Sequence, residues 1–291
     1  MWKLFQIEIY KIFHRPRTYI AFGAITALIA VIQLGLKMDG ETYVDFLMGS
    51  LKDTFDFEGK ILNGYFVCYV ILQLLLIHVP LLITLIAADM ISGEANMGTL
   101  RLLLTKPVSK AQFILAKFFA ASVYTFLLLL WIAVLALALS IFLFGTDDLM
   151  LQKTSYVVQI AKEDVFWRYV GAFCFAFLSM LTVTGLGFFL SIFAENSIGP
   201  IVTTMSIIIV FTIFSTMTIP SFQKIQPYLF TTHMVNWKEF FDEKVDEQNV
   251  VITGSIQYPE RIIDSAFVLF AHITILVGAS IFVFKKKDVL S

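Results

Sequence analysis

The chain has 291 residues, 58% of them hydrophobic and only 15% charged, with a formal net charge of −1. A soluble domain carries about 25% charged residues, so this chain has too few to cover a water-exposed surface. The same numbers exclude a disordered chain, a collagen repeat and a disulfide scaffold, and the two cysteines, Cys68 and Cys174, lie in apolar runs that read as core.

In chain order, residues 2–15 place Trp2, Phe5, Ile9, Ile12 and Phe13 on one helical stripe, with Lys3, Lys11 and Arg15 off it. Leu4 and Ile7 also lie off it. The pattern predicts an amphipathic helix on the membrane surface, within an N-terminal segment 1–17 that precedes a transmembrane domain over 18–291. An uneven extension of the first span is the alternative. A cleavable signal peptide is not expected, because the following apolar run starts late and is too long.

Six stretches lack Asp, Glu, Lys and Arg and predict spans at about 18–36, 63–88, 118–144, 169–194, 199–219 and 265–284. About 20 helical residues cross a ~30 Å hydrocarbon core. An embedded charge costs about 2.5–3.5 kcal/mol on the insertion scale, which accounts for their absence. The spans are expected to be unbroken. Residues 195–200, with Pro200 in the first turn of the next helix, predict a tight turn between the fourth and fifth.

The tail, the loop after span two, Glu195 and the C-terminus hold eleven basic against five acidic residues, net +6. The other loops sum to −7. This alternation predicts both termini on the cytoplasmic side of a plasma (inner) membrane, with segment 220–264 external. In that segment Asn236 and Glu239 predict a capping box, with Trp237, Phe240 and Phe241 on one helical face. Residues 250–256 read as β-like around Gly254.

The loop from Asp89 to Lys117 is the most informative. Met97, Leu100, Leu103 and Leu104 form a short apolar stripe, Gly98 precedes it and Pro107 stops it. Ser109 with Gln112 predicts a capping box that opens the next helix. The segment reads either as a docking element offered to a cytoplasmic protein or as a loop packed on the membrane. In span five Thr204, Thr212, Ser215 and Thr216 share a face. They are candidates for lining a translocation path, or for bonding back to their own helix and packing between helices. His78 and His272 read as core histidines rather than functional groups. No phosphate loop and no metal-ligand spacing is present, so the chain is not expected to be an enzyme or to hold a cofactor. No feature points to nucleic acid; the expected partners are membrane lipid and protein.

Asp89, Ser92-Gly93-Glu94, Gly98-Thr99-Leu100, Leu103-Leu104, Pro107-Val108-Ser109-Lys110 and Lys117 resemble the signature region of ABC-2 type transporter permeases. The resemblance extends over the whole chain. It implies an all-α polytopic membrane protein: six transmembrane helices, an N-terminal amphipathic interfacial helix and a short cytoplasmic coupling helix at Gly98–Leu104. It implies two copies of a separate ABC ATPase, binding ATP and Mg and docking around Glu94, Gly98, Thr99, Leu100, Arg101, Leu103, Leu104, Lys106, Pro107 and Lys110. It also implies a homodimer or a heterodimer with a second permease, and export as the direction. Substrate class does not follow. The alternative is a membrane anchor or scaffold that couples an ATPase to a mechanical or assembly task without transport. A secondary transporter or channel would show broken helices and strongly polar groups at mid-membrane, neither of which the spans display.

Overall fold

The computed structural model describes the chain except residues 53–58, 76–77, 101–107, 154–156, 246–250 and 288–291, and except the side chains of 48–52. The first helix, α1 (Trp2–Phe13), forms where the apolar stripe predicts it. Ile12 is buried and Phe5, Ile9 and Phe13 pack half-buried against the core, while Trp2 remains 68% exposed. Pro16 opens α2 (Pro16–Lys52), as suits a residue without an N–H to satisfy. This helix runs well past the predicted end of span one and bends at Asp39, where φ is −125° and ψ 20°.

The second span differs from the unbroken helix expected. It consists of α3 (Gly64–Leu75) and α4 (His78–Ala87), inclined at 56° to each other. Pro80 lies in the first turn of α4 and offers no N–H to carry the helix back across the junction. At the other end of α3, Asn63 caps the helix by accepting from the N–H groups of Tyr65 and Phe66. A short helix α5 (Asp89–Asn96) follows α4.

The predicted capping box at Ser109 and Gln112 is present and starts α6 (Lys110–Ala133). That helix continues through a π turn (Val134–Ala138) into α7 (Leu139–Phe144). A π turn disturbs the regular hydrogen-bond ladder, and Gln33 fills the gap. Its amide, 3% exposed, donates to the Leu135 carbonyl at 2.8 Å and to Ser140 Oγ at 2.9 Å. Thr125 and Thr184, 2.8 Å apart, join the third and fourth spans in the same way.

After α7 the chain forms an antiparallel hairpin of β1 (Leu149–Gln152) and β2 (Val157–Ile160), with Leu149 opposite Ile160. The sequence reading did not anticipate it. Then α8 (Lys162–Ser191) runs through the middle of the bundle: 56% of its apolar window is buried, against 17% for α9 (Ile198–Thr216). The chain continues through α10 (Pro220–Gln223), a 3-10 turn (Gln226–Tyr228), α11 (Phe230–Met234) and a 3-10 segment (Val235–Phe241), and closes with α12 (Pro259–Lys286).

The Asn236 capping box does not form. Asn236 instead donates to Ser265 Oγ on α12 at 2.7 Å, and the segment is 3-10 rather than α. Trp237 and Phe241 are buried against Tyr69, with ring centroids 5.4 and 5.5 Å away. Each such aromatic pair contributes about 0.5–1.5 kcal/mol beyond burial. Val245 pairs with Val251 in an isolated bridge, which matches the β-like reading where it is described.

Among the described residues five helices are long and apolar enough to cross a membrane, or six if the bent α3–α4 pair is one span. The two strands and the described part of segment 220–264 lie together, joined where Lys153 meets Asp242 at 2.8 Å. At this hairpin end Arg168, fully buried, reaches Asp164 at 2.5 Å, Glu243 at 3.0 Å, and the carbonyls of Phe240 and Ser255. One guanidinium thereby ties α8 to the chain segments around it. Burial pushes the Glu243 carboxyl above its ordinary value; Arg168 pulls it back only in part, and Asp164 adds to the rise.

Candidate functional site

At the other, basic end the loop singled out in the sequence leads out of α4 through α5. The polar side chains of α5 turn inward. Glu94 is 2% exposed. Its Oε1 accepts from Lys117 Nζ on α6 at 2.7 Å and from Lys11 Nζ on α1 at 2.7 Å. The same two ammonium groups hold Glu8 of α1: Lys117 at 2.7 Å and Lys11 at 2.9 Å. Two carboxylates and two ammoniums thus alternate in one cluster with no net charge, buried except at Lys11. Burial alone would raise the Glu8 carboxyl, but Lys117 and Lys11 outweigh it and hold the carboxyl below its ordinary value. Lys11 is correspondingly raised, its two carboxylates outweighing the burial that acts to lower it.

A second cluster forms one turn earlier. Asp89, 5% exposed, pairs with Arg15, with Arg17 at 3.0 Å, and accepts from Ser197 Oγ in the turn between α8 and α9. Ser92 donates back to the Ala88 carbonyl at 2.5 Å, a bond that keeps its hydroxyl on the same face. Position 93 is tight: a Cβ there would lie 2.5 Å from Asp89 Oδ1, so the carboxylate that pairs with the arginines would have to shift. The run Asp89-x-x-Ser92-Gly93-Glu94 is therefore an internal fastening. It binds α5 to α1, to the start of α2, to α6 and to the α8–α9 turn.

The helix ends where the sequence places a break. Gly98 has φ +68°, a conformation that an L side chain rarely adopts, and its N–H bonds to the Ala95 carbonyl at 3.0 Å. Thr99 Oγ1 donates to the Glu94 carbonyl at 3.3 Å, and Thr99 and Leu100 are helical again. Helix, left-handed break and renewed helix follow the predicted order. Arg101, Leu103, Leu104, Lys106 and Pro107 lie outside the described residues.

A family model described as ABC-2 family transporter protein matches residues 2–289. The chain belongs to the ABC-2 transporter family. It is accordingly an integral, multi-pass membrane protein, in a family of membrane components that lack an ATPase of their own. ABC-2 permeases in general work with an ABC ATPase and assemble as dimers. No curated protein matches the chain.

Against that family frame, the expected docking residues separate into two groups. Glu94 and Leu100, 2% and 5% exposed, are buried within this permease, so neither offers the open docking contact read from the sequence. Burying Glu94 between two lysines is what keeps its charge tolerable there. Gly98 and Met97 are on the surface, Met97 at 57% exposure. Lys110 turns to the carbonyls of Lys285 and Lys287, at 3.2 and 2.9 Å, and so caps the C-terminal end of α12. The path-lining candidates of α9 mostly bond to their own helix. Thr204 donates to the Pro200 carbonyl, Ser215 to that of Phe211 and Thr216 to that of Thr212. Ser215 also meets Thr231 and Thr232 of α11, while Thr212 is exposed. His78 and His272 bond to the carbonyls of Leu74 and Val268; His78 is exposed and His272 half-buried, so His78 is not the core residue expected.

Sequence reasoning missed Glu8, Lys11, Arg15, Arg17, Asp89 and Ser197 as members of one electrostatic junction. A signal was present. Glu8 lies within the apolar stripe of Phe5, Ile9 and Ile12, and Lys117 stands in an apolar run between Ala116 and Phe118. A charge on a buried face demands an opposite partner.

Proposed function

We propose that this permease exports its substrate through the energy of separate ABC ATPase subunits that dock at the loop between spans two and three. The segment Gly98–Leu104 acts as the coupling helix, with Arg101, Leu103, Leu104, Lys106 and Pro107 completing the docking surface. ATP and Mg are bound by two ATPase copies, and the permease pairs with itself or with a related chain. Both termini are cytoplasmic in a plasma (inner) membrane. Segment 220–264 is external.

The observation that carries this reading is the junction behind the coupling segment. Glu94, four residues before Gly98, is fastened to α1 and α6 through Lys11 and Lys117, and Asp89 to α2 and the α8–α9 turn. A push at Gly98 would therefore be passed through ion pairs and a hydrogen bond to four parts of the bundle. Buried ion pairs resist separation because breaking one strands a charge. Rigid motion of packed elements is a common way to shift between two membrane conformations.

Arg101→Glu tests the reading. The expected result is reduced co-purification of the ATPase, or ATP hydrolysis uncoupled from transport, in a permease that still folds. Unchanged assembly and transport would overturn it. Vectorial substrate movement by the reconstituted complex separates export from a purely mechanical role for the same ATPase.

A further inference from the structure

A cleft of about 420 Å³ opens at the hairpin end, between α2, α3 and β1. Its floor is apolar, with Phe66, Val70 and Leu151 buried, and its rim carries Gln73, Gln152 and Lys153. Leu74 on its edge is 51% exposed, so the cleft is open on that side. Lys153 lies on this rim, Lys238 approaches it from beside Gln73, and the two cations are not equivalent. Lys153 is paired with Asp242 at 2.8 Å. Lys238 is half-buried and has no carboxylate within ion-pair distance among the described residues. Its Nζ lies 3.4 Å from Gln73 Oε1 and 5.9 Å from the centre of the Trp237 ring.

We propose that this cleft binds an amphiphile with an anionic headgroup, the anion held by Lys238 and Gln73 and the chain laid over Phe66, Val70 and Leu151. The chemistry of the lining favours this class. A free sugar or peptide would leave the apolar floor wet, and a neutral lipid would leave Lys238 without a counter-ion. Lys153, though paired with Asp242, still acts on Lys238 as a like charge. Burial, with Lys153 contributing, holds Lys238 below its ordinary value, which marks a cation whose charge is unfavourable in the empty cleft. The inference is independent of where an ATPase docks.

The test uses the full chain, purified in detergent, with phosphatidylglycerol, phosphatidylcholine or glycerol phosphate added. Bound lipid is read by native mass spectrometry and by the shift in thermal unfolding. Phosphatidylglycerol is expected to bind at least tenfold more tightly than phosphatidylcholine, and Lys238→Gln to remove at least tenfold of that affinity. A Lys3→Gln variant, at the opposite end, controls for general attraction of acidic lipid. Lys238→Gln should fold, since it removes a penalised charge, and without lipid its Tm should equal or exceed that of the unsubstituted protein. Glycerol phosphate binding as tightly as phosphatidylglycerol would overturn the chain-binding half. Equal lipid affinity in Lys238→Gln and the unsubstituted protein would overturn the proposal as a whole.

Discussion

Lys117 Nζ lies 2.7 Å from Glu94 Oε1 and 2.7 Å from Glu8 Oε2, and all three side chains are buried. One ammonium thus joins the surface helix α1, the loop helix α5 and the third span. Lys117→Met would strand two buried carboxylates with only Lys11 between them. The expected loss is about 3–5 kcal/mol of stability, seen as a fall in Tm of the purified protein. Glu94→Gln in the same background should restore part of it, and a double-mutant cycle measures the coupling.

The same cluster sets a response to acid. The Glu8 carboxyl is lower in the folded protein than its ordinary value, so its stabilising effect is complete above that value. It fades as pH falls through the folded-state value. The Glu243 carboxyl at the hairpin end is raised, which gives the opposite sign: its ionisation weakens the fold as pH rises through the raised value. Unfolding followed between pH 3 and 7 should therefore show acid sensitivity that Glu8→Gln reduces. Glu243→Gln should leave the acid loss intact.

Gly93→Ala puts a methyl group 2.5 Å from Asp89 Oδ1. The carboxylate must then shift, which loosens its contacts with Arg15 and Arg17. Overpacking of this kind costs about 1–3 kcal/mol. The variant is expected to show a lowered Tm and faster hydrogen exchange in α5, with exchange in α12 unchanged.

Much of the fold was legible because hydrophobic length is a strong signal. The long apolar helices, the Ser109 cap and the Gly98 break were all readable from local residues. The hairpin at 149–160 was not, because its two strands are only four residues each, too short for a clear alternating pattern. The bend of the second span was hidden because Pro80 lies in an apolar run that is long enough without it. The junction was legible only in part. Ser92-Gly93-Glu94 was visible as a motif, but its partners Glu8 and Lys117 are 109 positions apart, and only the fold brings them together. Glu94 read as surface because a lone acidic residue in a loop normally is.

Arg168→Lys tests the fastening at the hairpin end. A lysine cannot reproduce the guanidinium's simultaneous reach to Asp164, Glu243 and two carbonyls. Arg168→Met should lose about 3–5 kcal/mol, since it leaves two carboxylates without their buried counter-charge. Hydrogen exchange is expected to quicken over 235–245 in both variants, and more in the methionine variant.

The central claim is that an ABC ATPase docks beside Gly98. Met97, 57% exposed and adjacent to it, is the position to question directly. A photo-cross-linking amino acid at residue 97, in the full chain in its own membrane, should capture an ABC ATPase subunit. The same group at Ile263, 55% exposed in α12 near its N-terminal end, should capture none. No ATPase captured at residue 97, or equal capture at both positions, would contradict docking at this loop.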